Sequence, residues 1–264
     1  MHPAFSVIFL TTLIGAAQGL FLALFTAQSY AAFKLLPQPD AHDFYGQGSV
    51  LALLLLAAGL GASFFHLGHP ERAWRAAAMW RTSWLSREVI ALPAFMAACA
   101  AWGAAQWLAL PGTRAIGTIA ALACLALFVC TGMVYASIRF LQEWASPLTL
   151  VNYLLIGCAS GATLAALLAS LRAPALAPVL ALAALALTLA ALIGRAAALA
   201  RNARLRPRST LQSAIGVKHP LIRQRAQGFM GGSFNTREFF HGRSAAALRT
   251  LKWFFLVAGF AVPA

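Results

Sequence analysis

Acidic residues are scarce in this 264-residue chain, which carries 6 Asp and Glu against 20 Lys and Arg. Charged residues of either sign make up only 10% of the sequence, whereas soluble domains carry about 25%. Hydrophobic residues make up 61%. The scarcity of charge excludes a soluble enzyme or a disordered protein and predicts a polytopic membrane protein. The net charge of +14 is first explained by membrane topology, and we expect no nucleic-acid partner.

The sequence also lacks the motifs of redox centres. No two histidines face each other within apolar stretches, as the axial ligands of a membrane dihaem protein would, and there is no CxxCH motif. The cysteines lie in apolar stretches without CxxC spacing, and we interpret them as small buried residues: Cys99, Cys124, Cys130 and Cys158. GxGxxG and Walker A motifs are absent. We therefore expect no haem here, and electrons would come from a partner.

Long apolar stretches recur along the chain. A hydrocarbon core of roughly 30 Å needs about 20 apolar residues per helical crossing. Six stretches reach this length, near 5–33, 48–67, 88–110, 115–138, 149–171 and 175–199. A seventh runs from about Leu251 to Ala264, which is short of a crossing, and we expect the native chain to continue. The sequence thus predicts one all-α membrane-anchor domain, 1–264, with about seven to eight transmembrane helices.

The basic residues fall almost entirely on one side of these spans. Seventeen of the 20 Lys and Arg lie on the same side as the N-terminus, and only Lys34, Arg114 and Arg172 lie on the other. The positive-inside rule makes the rich side cytoplasmic. We therefore expect a bacterial inner-membrane protein whose N-terminus and long basic loop, 201–250, lie in the cytoplasm.

Two ionisable residues flank the connection between the second and third spans. His66 ends the second span and Glu88 opens the third, so the connection can bring them together beside an apolar pocket. Quinone reduction takes two protons with two electrons, and histidine titrates nearest to neutral pH. The pair is therefore suited to binding a quinone head group. The alternative is a capping pair, in which His66 bonds a helix-end carbonyl and Glu88 pairs with Arg87 or Arg72.

Residues near these two are further candidates. Tyr135 and Arg139 are four residues apart toward the same end of the fourth span, which predicts that both line one pocket. Pro70 followed by Glu71 indicates a helix start between spans two and three. Tryptophans and arginines alternate along that segment, which favours a short interfacial helix in contact with membrane lipid.

The basic loop 201–250 contains ten Lys and Arg and one Glu. Its last third is rich in glycine and aromatic residues, which a solvated basic loop would not need. Exposed aromatic residues beside arginine anchor protein interfaces. Partner docking is therefore predicted, with packing against the protein's own spans as the alternative. The candidate docking residues are Arg75, Arg81, Phe229, Phe234, Arg237, Phe239 and Phe240.

Two sequence motifs carry a resemblance to a known family. The segments SFFHLGHP (63–70) and RTSWLSRE (81–88) resemble the signature of the dimethyl sulfoxide reductase membrane-anchor family. The segment GGSFNTREFFHG (231–242) resembles the branch found with quinone-linked sulfite dehydrogenase. The similarity extends over nearly the whole chain.

The resemblance implies an eight-span helical anchor bound to an iron–sulfur electron-transfer subunit and a molybdopterin catalytic subunit. In this family, a histidine ending span two and a glutamate opening span three are associated with the quinone site. They match His66 and Glu88, which favours quinone binding over the capping pair, with Arg72, Tyr135 and Arg139 as further candidates. The quinone would be ubiquinone or menaquinone, and the family has no haem in this subunit.

The expected orientation fits cytoplasmic sulfite oxidation at molybdenum in a partner, with electrons passing through iron–sulfur clusters to quinone held by this chain. One alternative is the anchor of a dimethyl sulfoxide reductase, which would oxidise quinol. A purely structural anchor is another. A transporter would show inverted repeats and polar residues at the membrane midplane, and the sequence has neither.

Overall fold

A computed structural model describes residues 5–65, 67–139, 141–206, 211–222 and 244–263, and every regular element among them is helical. Six helical segments are long and apolar enough to cross a membrane. Their α-helices are α1 (Phe5–Ala32), α2 (Gln47–Phe64), α3 (Trp84–Trp107), α4 (Thr113–Ala136), α5 (Pro147–Arg172) and α6 (Ala177–Ala203). A π-helical turn, Ala41–Gly46, leads into α2, and a 3-10 turn, Pro174–Leu176, leads into α6.

The predicted all-α bundle of membrane-spanning helices is confirmed, with six such helices among the described residues. Two shorter helices follow: α7 (Leu211–Ile215) and α8 (Ala245–Leu256). The seventh apolar stretch of the sequence therefore forms the end of α8, and it continues as a π-helical turn, Val257–Ala261.

Local sequence signals explain where the spanning helices begin. Ser83 caps α3, because its hydroxyl accepts a hydrogen bond from the Ser86 amide at 3.4 Å. Ser146 caps α5 in the same way, through the Leu148 amide at 3.2 Å, and Pro147 occupies the first turn. The short helix predicted after Pro70 is present as a 3-10 helix, Pro70–Met79, which has no buried residue.

Glycines allow α1 and α5 to approach each other closely. A Cβ atom on Gly161 would overlap the backbone of Gly19 and Leu20, and one on Gly19 would overlap the carbonyl of Gly157. Small residues four positions apart on both helices are a common membrane packing motif. Gly19 and Gly161 therefore serve the close packing of α1 against α5.

A polar network joins three helices at the end of the bundle where α1 and α3 finish. The indole of Trp102 donates to Gln28 Oε1 at 3.1 Å, and Gln28 Nε2 donates to the Thr113 hydroxyl at 3.0 Å. Phe21 packs edge-on against Trp102, with the ring centroids 5.3 Å apart. These contacts fix α1, α3 and α4 relative to one another at the end opposite the basic segments.

Candidate functional site

Glu88 lies inside the bundle, four residues after the start of α3 and therefore about 6 Å along its axis. Its side chain is buried, with the residue 9% exposed. The Thr131 hydroxyl of α4 donates to Glu88 Oε1 at 2.6 Å. A carboxyl group within a membrane span is costly and is a functional candidate by default.

The hydroxyl of Thr131 is expected to stabilise the buried Glu88 carboxyl, and Thr131→Val removes it with little change of shape. Loss of a donor to a buried carboxyl group costs about 1–3 kcal/mol. We expect a lower thermal unfolding midpoint in detergent, followed by tryptophan fluorescence, and recovery in Thr131→Ser. Thr118→Val is the matched control, because the Thr118 hydroxyl bonds only within α4, to the Arg114 carbonyl on the exposed side. Equal midpoints for Thr131→Val and the wild-type chain would contradict this role.

Two cavities open near the end of the bundle where α3 and α5 begin. The α3–α4 cavity, of about 680 Å³, is lined by Thr82, Ser83, Leu85, Met133, Val134 and Arg139, among others. Glu88 and Thr131 lie about one helical turn deeper in the bundle than Leu85 and Val134. The α5–α6 cavity, of about 710 Å³, is lined by Tyr135, Asn152, Arg195 and Lys252, among others.

Tyr135 and Arg139 therefore lie on different cavities, and the prediction that they line one pocket is wrong. The reason is that α4 ends at Ala136, so Arg139 lies beyond the helix, where four-residue spacing no longer places side chains on one face. Tyr135 packs edge-on against Trp144, with the ring centroids 5.3 Å apart. Arg139 is exposed at the rim of the α3–α4 cavity.

The capping alternative for Glu88 is contradicted, because its two proposed arginine partners are engaged elsewhere. Arg87 donates to the carbonyls of Trp80 and Arg81 at 2.8 Å each, and its guanidinium lies over the Trp84 ring. Arg72 is exposed and lies 3.6 Å from the Glu71 carboxylate. The proposed quinone ligand Arg72 thus forms a surface ion pair on the 3-10 helix.

Of the predicted docking residues, Arg75 and Arg81 are exposed. Both follow exposed tryptophans in the sequence, Trp74 at 75% and Trp80 at 52%, and Arg81 lies 5.4 Å from the Trp80 ring centroid. The remaining predicted residues lie outside the part of the chain that the structure describes: His66, Phe229, Phe234, Arg237, Phe239 and Phe240.

The amino-acid sequence matches a known family over most of its length. A family model described as DMSO reductase anchor subunit (DmsC) matches residues 1–220. The chain belongs to the DMSO reductase anchor subunit family. It is therefore an integral membrane protein and an anchor subunit of an oxidoreductase complex, and the family resemblance predicted from the motifs is confirmed.

One relative is similar to this anchor along the entire length of the anchor. The anchor is 56% identical to a sulfite dehydrogenase subunit of Allochromatium vinosum over 276 aligned residues, which cover 100% of this chain and 85% of the relative. No solved structure matches the chain.

Arg195 is not among the site residues predicted from the sequence, although the predicted span 175–199 contains it, and the structure places it within α6 of the anchor. It lies eight residues before the helix ends at Ala203, about 12 Å along the axis. Its Nε atom is buried without a hydrogen-bond partner among the described residues. The signal was present, because Arg195 is the first charged residue after a long apolar run and the span extends beyond it.

Proposed function

We propose that this anchor is the quinone-binding membrane subunit of a molybdopterin and iron–sulfur sulfite dehydrogenase complex. In this proposal, sulfite is oxidised to sulfate in the molybdopterin subunit, and two electrons pass through an iron–sulfur subunit to quinone. The name of the Allochromatium vinosum relative supports sulfite as the substrate. We place the complex at the bacterial inner membrane with the basic end of the anchor, including loop 201–250, in the cytoplasm.

The observation that carries quinone binding is the buried Glu88 carboxyl one turn beneath the α3–α4 cavity. A volume of about 680 Å³ lies within the range of small-molecule sites. Its walls combine apolar Leu85, Met133 and Val134 with the polar groups of Ser83 and Arg139. The hydrogen-bond donors of Ser83 and Arg139 fit a quinone head, which is apolar apart from two carbonyl oxygens that accept hydrogen bonds.

The proposed roles follow from these positions. A bound quinone accepts two electrons and two protons and becomes quinol. Arg139, at the cavity rim, would donate a hydrogen bond to one carbonyl oxygen, and Glu88 would supply one proton from the inner side with Thr131 holding its carboxyl. The second proton would come from water at the open side of the cavity. His66 stays a candidate for the same site, whereas Arg72 is exposed on the 3-10 helix and Tyr135 lines the α5–α6 cavity. We continue to expect no haem in this subunit.

Docking of the iron–sulfur subunit is proposed on the same end of the bundle. Arg75 and Arg81, beside exposed tryptophans on the 3-10 helix and just after it, supply the residue types that anchor interfaces. We extend this surface to the aromatic segment of loop 201–250. Electron transfer over a short distance requires the partner's iron–sulfur cluster to lie near the quinone. The 3-10 helix contacts α3, which carries Glu88, so a partner docked on it would lie near this site.

A dimethyl sulfoxide reductase anchor is the second candidate, and the description of the matching family model favours it. The same residues would then accept protons from quinol, and its two electrons would pass to an iron–sulfur cluster of the partner. A purely structural anchor would need none of these groups.

Capture of the natural complex tests the proposal. The tagged chain is purified from detergent-solubilised native membranes, and the bound proteins are identified by mass spectrometry and assayed. We expect a molybdopterin subunit and an iron–sulfur subunit, with sulfite-dependent reduction of quinone. The same partners with reduction of dimethyl sulfoxide alone would refute the sulfite assignment. Capture of neither partner would refute the complex.

A further inference from the structure

The α5–α6 cavity is separate from the α3–α4 cavity and takes no part in the function proposed above. It lies between the start of α5, the end of α6 and the helix α8, and its volume is about 710 Å³. Leu148, Ala198 and Leu199 supply apolar walls, while Asn152, Arg195 and Lys252 supply polar groups. The cavity therefore combines an apolar wall with a polar end at the level where the spanning helices meet the basic segments.

The charge of this cavity is positive. Three cationic residues line it, Arg195, Arg201 and Lys252, against one acidic residue, Glu143. Arg201 is committed to the wall, because it donates to the Gln142 carbonyl at 3.1 Å and the Ala145 carbonyl at 3.4 Å. Arg195 and Lys252 remain to attract a ligand, which must be an anion.

Arg195 is the strongest indication of a ligand. It lies inside a membrane-spanning helix, where a guanidinium is costly and normally interacts with a specific partner. Its guanidinium carbon lies 5.1 Å from the ring centroid of Phe255, which offers a cation–π contact but no hydrogen-bond acceptor. The Nε donor has no partner among the residues that the structure describes. This position therefore suits an anionic acceptor.

Asn152 supplies a complementary acceptor. Its amide nitrogen donates to the Leu148 carbonyl at 2.7 Å and to the Gly194 carbonyl at 3.2 Å. Since both partners are acceptors, the amide group can be oriented only with nitrogen toward them. Its oxygen, Oδ1, is buried and unpaired within the described part of the chain. A ligand that pairs with both the Arg195 Nε donor and the Asn152 Oδ1 acceptor must offer an anionic oxygen to Arg195 and a hydrogen-bond donor to Asn152.

We propose that the α5–α6 cavity binds the head group of an anionic membrane phospholipid whose phosphodiester is followed by free hydroxyl groups, as in phosphatidylglycerol. The phosphate oxygens meet Arg195 and Lys252, a head-group hydroxyl donates to Asn152, and the acyl chains follow the apolar wall of Leu148 and Leu199. Basic pockets between membrane helices commonly hold anionic head groups in this way. An oxidised quinone is a poorer fit, because it is uncharged and has no donor for Asn152.

Lipid titration of the purified full-length chain tests the site. Native mass spectrometry in detergent compares phosphatidylglycerol with phosphatidylcholine, which has the same phosphodiester but no net charge and no hydroxyl. We expect phosphatidylglycerol to bind more tightly. Arg195→Met and Lys252→Met should each weaken its binding by about tenfold, the ratio that follows from losing one hydrogen bond to a charged group. Arg204→Met is the matched control, because Arg204 is exposed just beyond the end of α6 and does not line the cavity.

Several results would overturn the proposal. Equal affinity for the two lipids would show that the cavity does not select for head-group charge or hydroxyl groups. Displacement of the lipid by inorganic phosphate at equal concentration would show that the site binds soluble anions. Unchanged affinity in both Met variants would exclude the cavity. Lys252→Met keeps the test valid if Arg195→Met fails to fold, because Lys252 is exposed on α8. Sulfite oxidation and quinone reduction play no part in these measurements, so this site and the proposed function fail independently.

Discussion

Glu88→Gln is expected to stop quinone-linked turnover while the anchor still assembles with its partners. The substitution keeps the size of the side chain and an oxygen that can accept from Thr131, but it removes the group that carries a proton. Proton transfer by a positioned side chain contributes about 10²- to 10⁴-fold to rate. We therefore expect sulfite-dependent quinone reduction by the purified complex to fall at least about 100-fold. Sulfite oxidation with an artificial electron acceptor should stay at the wild-type level.

Asp43→Asn is the matched control for charge neutralisation. Asp43 lies in the π-helical turn before α2, at the opposite end of the bundle, where it contacts His42 at 3.1 Å. We expect it to leave quinone reduction unchanged. His66→Ala should lower quinone reduction with the complex intact. Normal turnover in both Glu88→Gln and His66→Ala would favour the purely structural anchor.

Gly161→Ala is expected to prevent the native packing of α1 against α5. One methyl group at Gly161 would overlap the backbone of Gly19 and Leu20, and backbone cannot rotate away as a side chain can. Overpacking of a well-packed site costs about 1–3 kcal/mol or more. The two helices must separate along their length, so we expect a large loss of folded protein from membranes. Gel filtration after detergent extraction measures the folded fraction.

Gly61→Ala provides the comparison for this substitution. Gly61 also lies in a spanning helix, α2, but an added Cβ there meets nothing within 4 Å. Alanine favours a helix over glycine by about 1 kcal/mol, so Gly61→Ala should fold at least as well as the wild-type chain. If Gly161→Ala gave the same yield and thermal midpoint as Gly61→Ala, close packing of α1 and α5 would be refuted.

The sequence predicts the spans well because hydrophobic length is a one-dimensional property. Each of the six predicted stretches corresponds to a helix, and the capping residues Ser83 and Ser146 explain why α3 and α5 begin earlier than the apolar runs alone indicate. The pairing of α1 with α5 could not be predicted in the same way. Spanning helices are apolar on all faces, so periodicity does not reveal which face meets which neighbour.

The candidate site was predictable only in part, for similar reasons. Glu88 stands out because a carboxyl group beside a long apolar run is rare, and its burial agrees with that expectation. Its partner Thr131 did not stand out, because hydroxyl residues are common in membrane helices and their cross-helix contacts depend on helix rotation. The separation of Tyr135 from Arg139 depends on where α4 ends, which hydropathy fixes only to within a few residues.

The last turn of α4 is a shared wall, since Val134 borders the α3–α4 cavity and Tyr135 borders the α5–α6 cavity. The network of Gln28, Trp102 and Thr113 lies at the far end of this helix. A ligand that tilts this turn changes the neighbouring cavity as well. Thermodynamic reciprocity then requires each occupant to alter the affinity of the other by the same factor. Under the two proposals, lipid binding and quinone binding would then be thermodynamically linked through this turn.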